Sequence, residues 1–199
     1  MIVLLNKPWG VLSQFTDRGV PARRTLVEFG LPTGVYAAGR LDQDSEGLLL
    51  LTDDGALIHR IADSRAYWPK TYLVQIEGVP DASALQCLRD GVELNGGRTQ
   101  PVEVCALPQA PDGLRLRDPP VGFRKSVPDA WLEITLREGR NRQMRRMTAA
   151  VGLPTLRLIR THIGNYAQDG LTPGETRVVD ATSAQGSRDK PSARKKLLR

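Results

Sequence analysis

Thr71-Tyr72-Leu73-Val74-Gln75-Ile76-Glu77 reads as a strand with one buried face, because its period of two places Tyr72, Val74 and Ile76 on the same side. Leu132, Ile134 and Leu136 alternate with Glu133, Thr135 and Arg137 in the same way. Two half-buried strands of this kind imply antiparallel pairing over a core. Further strand signals cover 2–5, 35–38, 48–52, 99–107, 155–163 and 176–179, with 70–77 and 131–136 as the patterned pair. Helices fit 25–29, 55–62, 82–90 and 142–151. Asp81 caps the third of these and Gly91 follows its end, while Gly152 and Pro154 stop the fourth. Short helices scattered among many strands give an α+β fold. Residues 108–128, rich in Pro and Gly, form a long loop, and loops of that length are more often functional than connective.

A chain of 199 residues with 40% hydrophobic and 25% charged side chains can bury one core, which gives one domain of one or two lobes. The longest apolar runs, 1–5 and 47–51, are far too short to span a membrane, and the N-terminal run lacks the basic region of a signal peptide. These features place the protein in the cytoplasm. Cys87, Cys105, His59 and His162 share no ligand spacing, so neither a zinc site nor a disulfide framework is expected, and no metal or other cofactor is called for.

Charge is unevenly distributed. Residues 137–160 carry seven basic side chains against one acid and 183–199 carry six against one, whereas 1–136 is net acidic. Arg accounts for 22 of the 28 cations, the side chain suited to bidentate phosphate contacts. Two cationic segments on an acidic body suit a polyanion laid along one face. Residues 183–199 read as a disordered basic tail, and 1–182 as the folded domain.

Three segments can carry chemistry. Gly39-Arg40-Leu41-Asp42-Gln43-Asp44-Ser45-Glu46-Gly47 runs into a buried strand, so it is either a capped polar turn or the acidic floor of a cleft. Its acids at 42, 44 and 46, followed by Gly47 and Asp53, also imitate a calcium loop, although Leu49, Leu50 and Leu51 occupy later loop positions. In Arg137-Glu138-Gly139-Arg140-Asn141-Arg142-Gln143-Met144-Arg145-Arg146-Met147, the stripe Met144, Met147, Thr148 and Val151 is buried. Arg142 and Arg146 point away from that stripe, and Arg145 sits about 100° round at its boundary, able to bury its stem and aim its head into a cleft. Tyr72, in Lys70-Thr71-Tyr72-Leu73-Val74, is either core or a platform for a base.

Together, Asn-Lys-Pro-x-Gly at 6–10, Gly-Arg-Leu-Asp-x-Asp-Ser-Glu-Gly-Leu-Leu at 39–49, Lys-x-Tyr-x-Val at 70–74, Glu-Gly-Arg-Asn-Arg-Gln-Met-Arg-Arg-Met at 138–147 and Leu-Arg-Leu-Ile-Arg-x-x-Ile-Gly at 156–164 resemble the RsuA-type ribosomal RNA pseudouridine synthases, in order and spacing over about 1–180. The resemblance implies a curved, mainly antiparallel mixed sheet flanked by helices, with a central cleft. It implies a cofactor-independent isomerase that converts a uridine of large-subunit (23S) ribosomal RNA to pseudouridine as a monomer, on free RNA or an assembling particle. Most members begin with a small S4-type RNA-binding domain, for which the strand starting at Ile2 leaves no room. By resemblance, Asp42 is the catalytic nucleophile, Tyr72 stacks on the uracil, Arg145 pairs with Asp42, Leu158 lines the pocket and Arg40 holds the flipped nucleotide. Arg140, Arg142 and Arg146 would bind the substrate's phosphates, and Gln43 stands where a basic residue is expected. Two other readings are a non-catalytic RNA-binding module and a calcium-binding loop protein.

Each phosphate contact releases counterions, so removing the cations of 183–199 reduces the salt dependence of RNA binding. Deletion of 183–199 is expected to weaken binding and flatten the plot of log affinity against log salt, measured by filter binding; an unchanged slope would show the tail idle.

Overall fold

The computed structural model describes residues 1–62, 68–122, 124 and 126–179. The basic tail expected at 183–199 lies outside them. The strands are β1 (Ile2–Lys7), β2 (Tyr36–Ala37), β3 (Glu46–Thr52), β4 (Lys70–Glu77), β5 (Glu93–Leu94), β6 (Gly97–Arg98), β7 (Glu103–Leu107), β8 (Asp129–Leu136), β9 (Thr155–Ile163), β10 (Tyr166–Ala167) and β11 (Thr176–Val179). The helices are α1 (Gly55–Ala62), α2 (Ala82–Asp90) and α3 (Gln143–Ala150), with a 3₁₀ turn at Leu26–Phe29. None of the described helices is long and apolar enough to cross a membrane.

One mixed sheet runs in the order β11-β1-β3-β9-β4-β8-β7, with β2 added to β3 and β10 to β9. Every pairing is antiparallel except β3 with β9, which covers only Glu46–Gly47 against Ile159–Arg160. That parallel step is close: a Cβ on Gly47 would lie 2.3 Å from the Arg160 carbonyl oxygen, and Gly47 holds φ at +102°. Only glycine meets both conditions. The α+β architecture matches the expectation from sequence.

Period-two patterning sorts the side chains between faces. Leu48 and Leu50 pack with Ile2, Leu4 and the α1 residues Leu57 and Ile61, while Leu49 and Leu51 pack with Val3, Leu5 and Leu26 on the other side. Tyr72, Val74 and Ile76 join Leu132, Ile134 and Leu136 under α2 and α3. The register of β4 on β9 shifts between Thr71 and Tyr72, so that Thr71 faces His162 but Tyr72 faces Arg160. The extra residue, Thr161, breaks the parity of β9, and Leu158, Arg160 and Ile163 can therefore all line one cleft.

Two expectations differ from the structure. The strand expected over 99–107 shrinks to β7 at Glu103–Leu107, because Pro101 has no N–H for a ladder, and it is preceded by an unexpected two-stranded hairpin, β5–β6, turned at Asn95-Gly96. The helix expected from Arg142 begins at Gln143, with Arg142 as its N-cap in the left-handed region at φ 47°. The caps of α2 are as read: Asp81 accepts from the Ala84 N–H at 2.7 Å, and Gly91 follows at φ 87°.

Beneath the parallel step, Arg157 donates to both oxygens of Glu46 at 2.8 Å, with both side chains below 10% exposure. A buried ion pair contributes little net stability when intact, but removing one member strands a charge. Glu46→Gln is therefore expected to cost about 3 kcal/mol in urea unfolding, and the pair Glu46→Leu with Arg157→Met much less. Equal losses for the two would show that the charge is not what matters.

Candidate active site

The loop 39–45 enters β3 already fixed on two sides. The Ser13 hydroxyl accepts from the Leu41 N–H at 3.0 Å and donates to the Leu41 carbonyl at 2.8 Å. Gly10 donates its N–H to the Gln43 carbonyl at 2.8 Å and accepts from Gln43 Nε2 at 3.2 Å. The turn closes with Ser45 N–H on the Asp42 carbonyl at 3.1 Å. Asp42 is thus presented, one-third exposed, from a backbone pinned by the segment after β1. Gln43, which replaces an expected basic residue, supplies one of those pins.

Asp44 binds the arginines. Arg142 donates to both of its oxygens at 2.9 and 2.7 Å, Arg145 Nε lies 3.3 Å from Oδ2, and Arg145 Nη2 donates to the Asp44 carbonyl at 2.7 Å. Burial opposes ionisation of Asp44, but the hydrogen bonds from Arg142 and the charge of Arg145 outweigh it and hold the carboxyl below its ordinary range. Among the described residues, the cation that comes within 4 Å of the Asp42 carboxylate is Arg142, at 3.9 Å, with the charge of Arg145 farther off. The expected Arg145–Asp42 pair is therefore replaced by Arg145–Asp44. The terminal nitrogens of Arg145 are taken up by the Thr155 carbonyl at 3.2 Å and the Asp44 carbonyl at 2.7 Å, which fixes its guanidinium beside Asp44.

These groups open onto a cleft of about 670 Å³ whose lining includes Asp42, Tyr72, Arg145, Leu158 and Arg40. Tyr72 comes from β4 and is 8% exposed, Leu158 from β9, and Arg145 from α3 with its stem buried, as its boundary position predicts. Arg40 is exposed at the rim, its side chain without a partner among the described residues. Arg142 also lines the cleft, but engaged with Asp44. Arg140 lines it while its guanidinium is spent on the β5–β6 hairpin, donating to Gly97 and Arg98 carbonyls at 2.7 and 2.8 Å and to Glu138 at 3.2 Å. Arg146 is not at the cleft: it donates to the Asn95 carbonyl at 2.7 Å, on the outer side of the same hairpin. Both act as straps here, because a hairpin of two-residue strands has too little ladder to hold itself.

Three cations were not legible as site residues. Lys7 is fully buried; burial, only partly opposed by Glu46, pulls its ammonium down to about 7, and its Nζ donates to Val11 and Pro8 carbonyls at 2.7 and 3.0 Å. Two acceptors suit a neutral amine as well as a charged one. Lys70 is lowered by burial and by nearby Arg160. Arg160, 3% exposed, donates to Leu48 and Arg40 carbonyls and has an Nη2 with no hydrogen-bond partner among the described residues. Period two from Leu158 already puts Arg160 on the cleft face, and the bulge at Thr161 adds Ile163 to it. Of the calcium-like spacing, Asp44 and Glu46 are held by arginines and Asp53 pairs with the N-terminal ammonium at 2.7 Å, which leaves Asp42 alone of the four acids without a close ion pair among the described residues.

The chain matches the family model described as RNA pseudouridylate synthase over residues 1–150. It is 64% identical over 190 residues to "Ribosomal large subunit pseudouridine synthase E" of Xanthomonas axonopodis pv. citri, covering 96% of this chain and 100% of that one. The chain belongs to the RNA pseudouridylate synthase family. A protein of the same name from Vibrio vulnificus is 50% identical over 184 residues, covering 92% of this chain and 76% of that one. A solved pseudouridylate synthase structure superposes with a TM-score of 0.72 at 29% identity, covering 92% of this chain and 71% of the other. The mixed sheet and flanking helices are thus the pseudouridine synthase fold, and the protein is an RNA pseudouridine synthase of the RsuA type.

Because the folded state holds the Asp44 carboxyl below its unfolded value, Asp44 contributes stability above the ordinary carboxylate range that is lost as the pH falls through and below it. Asp44→Asn is expected to unfold with a smaller loss of stability between pH 6 and pH 3 than the parent chain, measured by urea midpoints. An identical acid dependence would show that Asp44 is not held by the arginines.

Proposed function

We propose that this synthase isomerises a specific uridine of large-subunit ribosomal RNA, with Asp42 as the nucleophile. The substrate reading is supported by the names of the relatives at 64% and 50% identity. The observation that carries the assignment of Asp42 is the convergence of its carboxylate, the Tyr72 ring, Leu158 and Arg145 on one cleft from four separate segments of chain.

The reaction breaks the C1′–N1 bond of uridine, joins the same uracil to C1′ through C5, gives up the C5 proton and takes up a proton at N1. It is redox-neutral and needs no hydride or group donor. A stacked uridine hides its glycosidic bond, so the nucleotide is flipped into the cleft at a cost of a few kcal/mol, offset by stacking on Tyr72 and by phosphate contacts from Arg40. Asp42 then attacks the nucleotide or assists departure of the uracil, and Tyr72 stands beside the base to accept the C5 proton. Asp44 acts through Arg145 and Arg142: by taking up both guanidiniums it sets their distance from Asp42 and leaves that carboxylate free to react. Action as a monomer in the cytoplasm, on free RNA or an assembling particle, belongs to the same reading.

Asp42→Asn keeps the shape of the side chain and removes its negative oxygen. With large-subunit RNA tritiated at C5 of uridine, the variant is expected to bind within about threefold of the parent and to release less than a thousandth of the tritium. Substantial turnover by Asp42→Asn would overturn the assignment.

A further inference from the structure

The long loop between β7 and β8 is tied to the sheet where Arg157 Nη1 donates to the Arg115 carbonyl at 2.9 Å. Two residues on, Arg117 folds back on its own loop: Nε donates to the Pro119 carbonyl and Nη2 to the Pro120 carbonyl, both at 2.8 Å. These bonds along one edge fix the plane of the guanidinium, and its Cζ lies 5.1 Å from the centre of the Trp9 ring. Trp9 precedes Gly10, the residue that exchanges two hydrogen bonds with Gln43, itself next to Asp42. Gln43 lines the cleft, so through Gly10 the stack stands behind the cleft wall rather than in its lining; the charges acting most on Arg117 are Glu46 and Arg157, with Asp44 next. Arg117 and Trp9 are half-buried, and between Arg115 and Arg117 the side chain of Leu116 is 96% exposed.

A loop that only needed anchoring would turn Leu116 inward and leave its arginines to solvent. Here the apolar side chain is outside and a flat cation is clamped beside it on an indole. Guanidinium planes and indoles are the surfaces on which unpaired bases stack, and exposed leucines wedge between base steps. We propose that the Arg117–Trp9 stack, with Leu116 beside it, is a platform for an unpaired base of the RNA flanking the flipped uridine. The proposal rests on the reading of the cleft as the uridine site. It gives the enzyme a contact to RNA outside the target nucleotide that does not depend on phosphate charge.

The full-length chain is assayed on unmodified large-subunit RNA transcript tritiated at C5 of uridine, with Arg117→Ala, Arg117→Lys and Arg117→Tyr, each confirmed folded by urea unfolding. Arg117→Ala is expected to raise KM about tenfold, the effect of losing one stacked base, with kcat within twofold and the salt dependence of binding unchanged. Lysine keeps the charge without the flat face and should not restore KM; tyrosine keeps a flat face without charge and should restore it to within about threefold. Rescue by lysine with a changed salt slope would assign Arg117 to a phosphate and overturn the proposal, as would an unchanged KM in Arg117→Ala. A second readout does not depend on turnover: 2-aminopurine within a single-stranded RNA 12-mer should be quenched by the parent chain and not by Arg117→Ala. If the parent releases no tritium, the uridine-site reading fails, and equal quenching by parent and Arg117→Ala still decides against the platform.

Discussion

One carboxylate, Asp44, takes up two guanidiniums that arrive from about a hundred residues later in the chain, and the geometry of the active site follows from it. Arg142 is committed by both of its terminal nitrogens to the Asp44 carboxylate and Arg145 by Nη1 and Nη2 to the Thr155 and Asp44 carbonyls, which holds both off close contact with Asp42. The arrangement also accounts for the strained start of α3. Arg142 is the non-glycine residue found at positive φ among the described residues, a conformation that costs of order 1 kcal/mol and persists where surrounding contacts impose it. Its bidentate bond to Asp44 is that contact. The clasp joins the loop before β3 to the helix before β9, the two elements whose strands make the sheet's parallel step.

That step is where the fold and the chemistry meet. Gly47 lets β3 approach the Arg160 backbone, and the Glu46–Arg157 pair fills the back of the same junction. On the front, Arg160 stands in register with Tyr72 and on the same face as Leu158. The cleft there has Tyr72 and Leu158 as apolar walls, with cations at its margins. Lys7 completes the junction from below: an amine with two carbonyl acceptors and a pKa of about 7 is one that sits in the core without a full charge at neutral pH.

The sequence was legible wherever a local rule acts alone. Alternation in β4 and β8 marked the sheet, Asp81 and Gly91 bracketed α2, and the order of the five motifs led to the family that the relatives bear out. The cleft residues Asp42, Tyr72, Leu158 and Arg145 were named from motif position, and the structure brings them together. What depends on partners distant in the chain was not legible. Arg145 on a helix boundary reveals that it reaches inward but not which of two aspartates, two residues apart, receives it. Arg140 and Arg146 look identical in sequence to phosphate ligands, and only the carbonyls of the β5–β6 hairpin show them to be straps. The hairpin had a signal in Asn95-Gly96, hidden because its strands are only two residues long.

The account stands on Asp44 working through Arg145, and a double-mutant cycle on turnover measures that directly. Asp44→Asn and Arg145→Lys are compared singly and together by the single-turnover rate of pseudouridine formation on large-subunit RNA. The two losses are predicted to overlap, the double variant being at least about threefold faster than their product, as for residues in direct contact. Losses that simply multiply would mean that Asp44 and Arg145 act independently, and the clasp would have no part in catalysis.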